Sequence, residues 1–142
     1  MGPGLSADVG FLLSRASGVV VRATNAALAG HGLRVRQYSV LALACGSPDG
    51  VSQRELATVL GLDPSQVVLL VDELAVAGLV ERRPSRTDRR TKLVVVTGAG
   101  RRAQAAAERA AAEAVSDSLG GLTERQRGQL RDLLAEVVTA SG

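Results

Sequence analysis

The chain has 142 residues and a mass of 14.6 kDa, the size of one compact domain or of two small lobes sharing a core, which excludes a multi-domain enzyme. Hydrophobic residues make up 46% and charged residues 22%, so a core can form and a wholly disordered chain is excluded. The formal charge is +3 with a pI near 10.0, and its placement says more than its size. Glu81 to Lys92 carries a net +4 while the rest of the chain sums to −1, so the charge is a local footprint suited to a polyanion.

Phe11 and Tyr38 are the only aromatic residues. A core of Leu, Val and Ala favours helix-on-helix contact over an all-β sandwich or barrel. One histidine and one cysteine leave no metal site, cofactor motif or Ser/His/Asp set to be read from the sequence. Cys45 has no partner for an internal disulfide, and a reducing cytoplasm is the default. No run of apolar residues is long enough to span a membrane, and no signal peptide is evident. Met1 to Ser6 formally matches a myristoylation pattern, but its Gly and Pro residues fit a frayed terminus equally well.

In chain order, Val9, Leu12, Leu13, Ala16, Val19, Val20, Ala23 and Ala27 recur at helical steps, predicting one long helix from about Leu5 to Ala29. Gly30, His31 and Gly32 interrupt it, and Val35 to Cys45 reads as a buried helix stopped by Gly46-Ser47-Pro48-Asp49-Gly50. Ser52-Gln53-Arg54-Glu55 has the form of a capping box and opens a short helix that ends at Gly61. Asp63-Pro64-Ser65-Gln66 supplies an N-cap, a proline at the first helical position and a second box for a helix through Leu74. Two short helices joined by Gly61-Leu62 make a helix-turn-helix.

Leu79-Val80 and Leu93 to Val96 are β-type runs framing the basic segment. They predict a hairpin whose Pro84 to Asp88 turn projects into solvent. An Ala-rich helix from about Ala99 to Ser118 follows, and Thr123 to Gln126 opens a last helix with Leu130, Leu133, Leu134, Val137 and Val138 as its stripe. The expected fold is mainly α with a small β-hairpin, in the order α-α-α-α-β-β-α-α. A helix-turn-helix followed at once by a basic hairpin describes a winged helix, in which the second short helix enters a major groove and the hairpin reaches the backbone or a minor groove.

At Gln53-Arg54-Glu55-Leu56-Ala57, at Val71-Asp72-Glu73-Leu74 with Gly78-Leu79-Val80-Glu81-Arg82, and at Asp88-Arg89-Arg90 with Val96-Thr97-Gly98-Ala99-Gly100, the sequence resembles the MarR family of bacterial transcriptional regulators. The resemblance runs from about Asp8 to Val138. It implies a single chain over 1–142, with dimerisation helices at 5–32 and 99–140 and a winged helix-turn-helix lobe at 33–97. It further implies a cytoplasmic homodimer, nucleoid-associated when bound to a palindromic operator in double-stranded DNA. Repression relieved by a small aromatic or phenolic effector, or by oxidation, is the implied mode of action. Val9, Leu12, Leu130, Leu133, Leu134 and Val137 fall in the implied dimer helices.

Asp88 and Arg90 match the family's Asp-x-Arg wing motif, in which the carboxylate braces an arginine that enters the minor groove. Arg82, Arg83, Arg86, Arg89 and Lys92 are the expected phosphate contacts. Pro64, Ser65, Gln66, Val68 and Leu69 are expected to face DNA, with Gln66 open to two readings, adenine contact or capping partner. Leu69 stands where many members carry an arginine or other polar group, which argues against strong guanine readout; with Gln66 only a capping partner, specificity leans on groove shape. Ser52, Gln53 and Arg54 are placed to hold phosphate at a helix start. Phe11, Arg15, His31 and Tyr38 are the candidates for an effector cleft, against the alternative of packing and surface roles. Cys45, in an apolar helix, reads as a structural thiol rather than a redox sensor. Outside this reading stand a helical protein-interaction module, a DNA binder without an effector, and an enzyme, for which no motif gathers a nucleophile, base and orienting group.

Overall fold

Asp8 divides the N-terminal region. Its carboxylate accepts the Phe11 N–H at 3.1 Å, so the computed structural model, which describes residues 3–141, has a one-turn α1 (Pro3–Ser6) and a separate α2 (Val9–Ala29). The single helix expected from Leu5 is thus broken by a cap whose role the apolar period conceals. The myristoylation pattern begins at Met1 and Gly2, which lie outside the described residues.

Helix α3 (Val35–Cys45) is followed by a two-residue strand β1 (Val51–Ser52), then α4 (Gln53–Leu60) and α5 (Pro64–Val76). The hairpin is β2 (Val80–Pro84) and β3 (Lys92–Val96), and α6 (Gly98–Ser118) and α7 (Glu124–Ser141) close the chain. β1 was not expected. It pairs antiparallel with β3 through Val51↔Val94 and Ser52↔Leu93, which turns the hairpin into a three-stranded sheet of order β1-β3-β2. A strand of two residues has no readable period, and its partner lies some forty positions away in the sequence.

The capping signals act as local chemistry predicts, with one exception. Gln66 Oε1 accepts the Asp63 N–H at 3.3 Å, and Thr123 and Gln126 cap each other at 2.9 and 3.2 Å. Ser52 Oγ accepts the Glu55 N–H at 3.1 Å, but the reciprocal bond from Ser52 N–H to the Glu55 carboxylate is absent among the described residues. Ser52 belongs to β1 as well as to the cap. Gly61 ends α4 at φ +64°, a conformation that costs other residues and lets α5 start three residues later.

The core lies between α3, α4, α5 and the sheet, where Leu41, Leu56, Val67, Val71, Leu74 and Val94 are buried. α2 and α6 pack along each other through small residues, with Ala23 and Ala27 facing Ala110 and Ala114 across a shallow groove. The α2 stripe is covered only toward its C-terminal end. Val9, Leu12, Leu13 and Val19 are exposed, and so are Leu133, Leu134, Val137 and Val138 of α7, a helix that buries none of its residues. No helix of the described residues is long and apolar enough to cross a membrane.

Candidate nucleic-acid interface

The register of the hairpin decides where each of its charges points. Arg82 pairs with Val94, on the face where Val80, Val94 and Val96 are buried, because side chains alternate faces along a strand. Its Nε donates to Gln53 Oε1 at 2.8 Å. The same guanidinium lies 2.8 Å from Asp72 Oδ1 and donates to the Val68 carbonyl at 3.4 Å. One side chain therefore ties β2 to the start of α4 and to the middle of α5. In the single chain Gln53 Oε1 and the Arg82 guanidinium, both expected at phosphate, meet each other, and Arg82 is 29% exposed.

Arg83 points to the opposite face and forms an ion pair with Glu81. Arg54, Arg86, Arg89, Arg90 and Lys92 are exposed, and their charged ends have no hydrogen bond or ion pair among the described residues. The turn that carries three of them is organised from inside. Ser85 is buried; its N–H donates to the Thr91 carbonyl at 2.8 Å, and its Oγ accepts the N–H groups of Thr87 and Asp88 at 3.3 Å each. Ser85 falls in the turn read from the sequence, but its burial and the part played by Thr91 were not foreseen there. Asp88 braces this loop with its carboxylate, accepting the Arg90 backbone N–H at 3.0 Å and the Thr91 hydroxyl at 3.4 Å. The brace expected between Asp88 and Arg90 runs from the carboxylate to the Arg90 N–H.

On α5, Pro64, Ser65, Gln66, Val68 and Leu69 are exposed, whereas Val67, Leu70 and Leu74 are buried. Of the two readings of Gln66, capping is the one its Oε1 carries out. Ser65 Oγ donates to Asp63 Oδ2 at 3.1 Å. Leu69 is 64% exposed, so an apolar side chain occupies the middle of the outward face.

A second feature adjoins this face. A cleft of about 500 Å³ lies between α2, the start of α3 and α5, lined by Val21, Asn25, Arg34, Val35, Arg36, Gln66, Leu69, Leu70 and Glu73. Asn25 Oδ1 accepts the Val35 N–H at 2.9 Å and so satisfies one of the free donors that begin α3. Phe11, Arg15, His31 and Tyr38 do not line this cleft. Phe11 lies ten residues before Val21 on α2, about 15 Å along the axis; His31 is exposed, and Tyr38 packs against the core. The aromatic wall expected of these four is therefore absent from the cleft, whose walls are aliphatic and whose polar groups come mainly from α3 and α5. Cys45 is half-buried beside Arg101, which donates to its carbonyl at 3.5 Å. Burial pushes the thiol up and the Arg101 charge offsets part of that shift.

A profile of the MarR family matches residues 31–91, which include α3, α4, α5 and most of the wing. CouR of Rhodococcus jostii RHA1, solved with p-coumaroyl-CoA, is 47% identical over 96% of each chain, with a TM-score of 0.88. A MarR-family transcriptional regulator of Rhodococcus sp. RHA1 is 45% identical over 96% of this chain and 98% of that one, with a TM-score of 0.91. The transcriptional repressor CouR bound to a 23-mer DNA duplex is 34% identical over 95% of both chains, with a TM-score of 0.86. A Thauera aromatica protein whose name assigns it to regulation of the hcr operon is 35% identical over 97 residues; the alignment covers 68% of this chain and spans 58% of that protein's length. With near-complete coverage at 45% identity added to a hairpin locked onto two short helices, the chain belongs to the MarR family.

Proposed function

We propose that this protein is a sequence-specific regulator of transcription that binds double-stranded DNA as a two-fold homodimer, represses, and is released by a small aromatic ligand. The observation that carries the reading is the Arg82 bridge to Gln53, Val68 and Asp72. It makes the wing and both short helices one rigid unit and leaves Arg54, Arg86, Arg89, Arg90 and Lys92 free for a polyanion. Arg90 enters the minor groove, the other free cations hold phosphate, and Ser65, Val68 and Leu69 meet the major groove. Ser52 and Pro64 sit at helix starts close to the backbone.

Dimerisation is supported by α7, whose apolar side chains Leu133 and Val137 are 61% and 57% exposed in the single chain. Such a surface calls for a partner, and Val9, Leu12, Leu130 and Leu134 extend it. Residues 5–32 and 99–140 then form the dimer lobe, and 33–97 the reading lobe. The effector reading is supported by the cleft, because Gln66, Leu69, Leu70 and Glu73 of the recognition helix are part of its wall. The p-coumaroyl-CoA held by the Rhodococcus CouR structure makes an aryl acid or its thioester the first class to try. The chain works in the cytoplasm and as a regulator rather than an enzyme.

Selection of bound sequences from a random pool tests this reading. Two inverted half-sites centred about one helical turn apart, roughly 34 to 36 Å, are expected. A single asymmetric half-site, or no enrichment, would overturn it.

A further inference from the structure

The cleft beside α5 holds an internal charge contest, and the following rests on the effector reading above. Arg34 Nη2 lies 3.3 and 3.2 Å from the two carboxylate oxygens of Glu73, and Gln37 Nε2 donates to the same carboxylate at 3.3 Å. Arg34 and Glu73 are 65% and 46% exposed, so the pair contributes little to stability and exchanges readily with another anion. Arg36, on the same wall, has no side-chain hydrogen bond or ion pair among the described residues. Val21, Val35, Leu69 and Leu70 supply the apolar side. Two cations, one carboxylate and an aliphatic wall describe a receptor for a negatively charged amphiphile whose anion place is partly filled by the protein itself.

We infer that Glu73 is the resident competitor for the effector's anion and a determinant of its specificity. A ligand with an apolar body and a carboxylate or phosphate takes Arg34 from Glu73 and uses Arg36 as its second contact. The guanidinium forks of both arginines suit either anion. An uncharged ligand cannot make this exchange. Because Glu73 belongs to α5 and Arg34 precedes α3, the exchange also removes a tie that holds the recognition helix.

The test measures binding of p-coumaroyl-CoA, coenzyme A, p-coumarate and neutral p-coumaramide to the full chain by calorimetry. Wild type, Glu73→Gln and Arg36→Gln are compared, with melting temperature and a ligand-free gel shift run in parallel. Glu73→Gln is expected to bind at least one charged probe about two- to fivefold more tightly and p-coumaramide unchanged, whereas Arg36→Gln weakens that charged probe by about the same factor, the scale of one exposed charge contact. Gain with p-coumarate alone assigns the anion to a carboxylate, and gain with coenzyme A assigns it to phosphate. A merely structural Glu73 would instead lower the melting temperature without improving any charged ligand, and that result overturns the inference. So does an equal gain for the neutral amide, or failure of every charged probe to bind. Should Glu73→Gln not fold, unchanged binding in Arg36→Gln overturns it alone. An intact operator shift alongside any of these failures leaves DNA recognition standing; release of that DNA by the neutral amide would also leave effector control standing.

Discussion

Arg82 and Arg90 sit eight residues apart in one basic segment and have opposite surroundings. Arg82 is held by Gln53 and Asp72, whereas Arg90 is anchored through its backbone and its guanidinium is free. Arg90→Ala is therefore expected to weaken specific DNA binding by about 1–3 kcal/mol and leave the melting temperature unchanged. Arg82→Ala should lower both, because Asp72 loses its partner and the wing loses its tie to α4 and α5. Gel shift and thermal melting of the two variants decide, and equal thermal loss in both would refute the distinction. Cys45 gives a third residue-scale expectation. Burial raises its pKa, so the folded chain holds the neutral thiol and alkylation near neutral pH should be slower than in the unfolded chain. The associated stability is present below the unfolded thiol's pKa and is lost as pH rises through the higher folded value. Fast alkylation of the native protein would contradict this.

The elements show which signals are local. Caps at Asp63, Ser52 and Thr123 involve residues within three positions, and the helix starts they define were legible for that reason. Asp8 uses the same chemistry but was passed over where the expected helix was carried back to Leu5. The wing strands were legible from their β-branched runs, while β1 depends on β3 and was not. Gly100 illustrates an element junction that composition alone does not reveal. A Cβ placed there would lie 2.0 Å from the Leu79 carbonyl oxygen, where the start of α6 crosses the start of the wing. Gly100→Ala is expected to destabilise the fold by about 1–3 kcal/mol through overpacking, measured by urea unfolding. A neutral effect would mean that the junction moves freely.

At the scale of the whole molecule, α7 gains nothing by itself. Its apolar side chains are exposed in the single chain, the kind of surface that association would cover. Leu133→Asp is expected to leave an unpaired charge in the dimer contact, shifting the protein toward monomer and lowering its stability together. Sedimentation and melting test this, and a stable dimeric variant would refute the assignment. If the dimer neutralises on the order of 6 to 10 phosphates, operator affinity should fall about 10³- to 10⁵-fold between 50 and 200 mM salt. A flat salt response would remove the wing from the interface.

Sequence alone was sufficient for the family, the helix-turn-helix, the hairpin and the concentration of positive charge, because these rest on short-range periods, caps and turn chemistry. Tertiary structure divided that charge into arginines that hold the protein together and arginines that are free, a distinction made by residues tens of positions away. It also brought Arg34, Arg36 and Glu73 together along one cleft, which Phe11, Arg15, His31 and Tyr38 do not line. Cavities form where separate helices meet, and no local pattern encodes which side chains will face one another there.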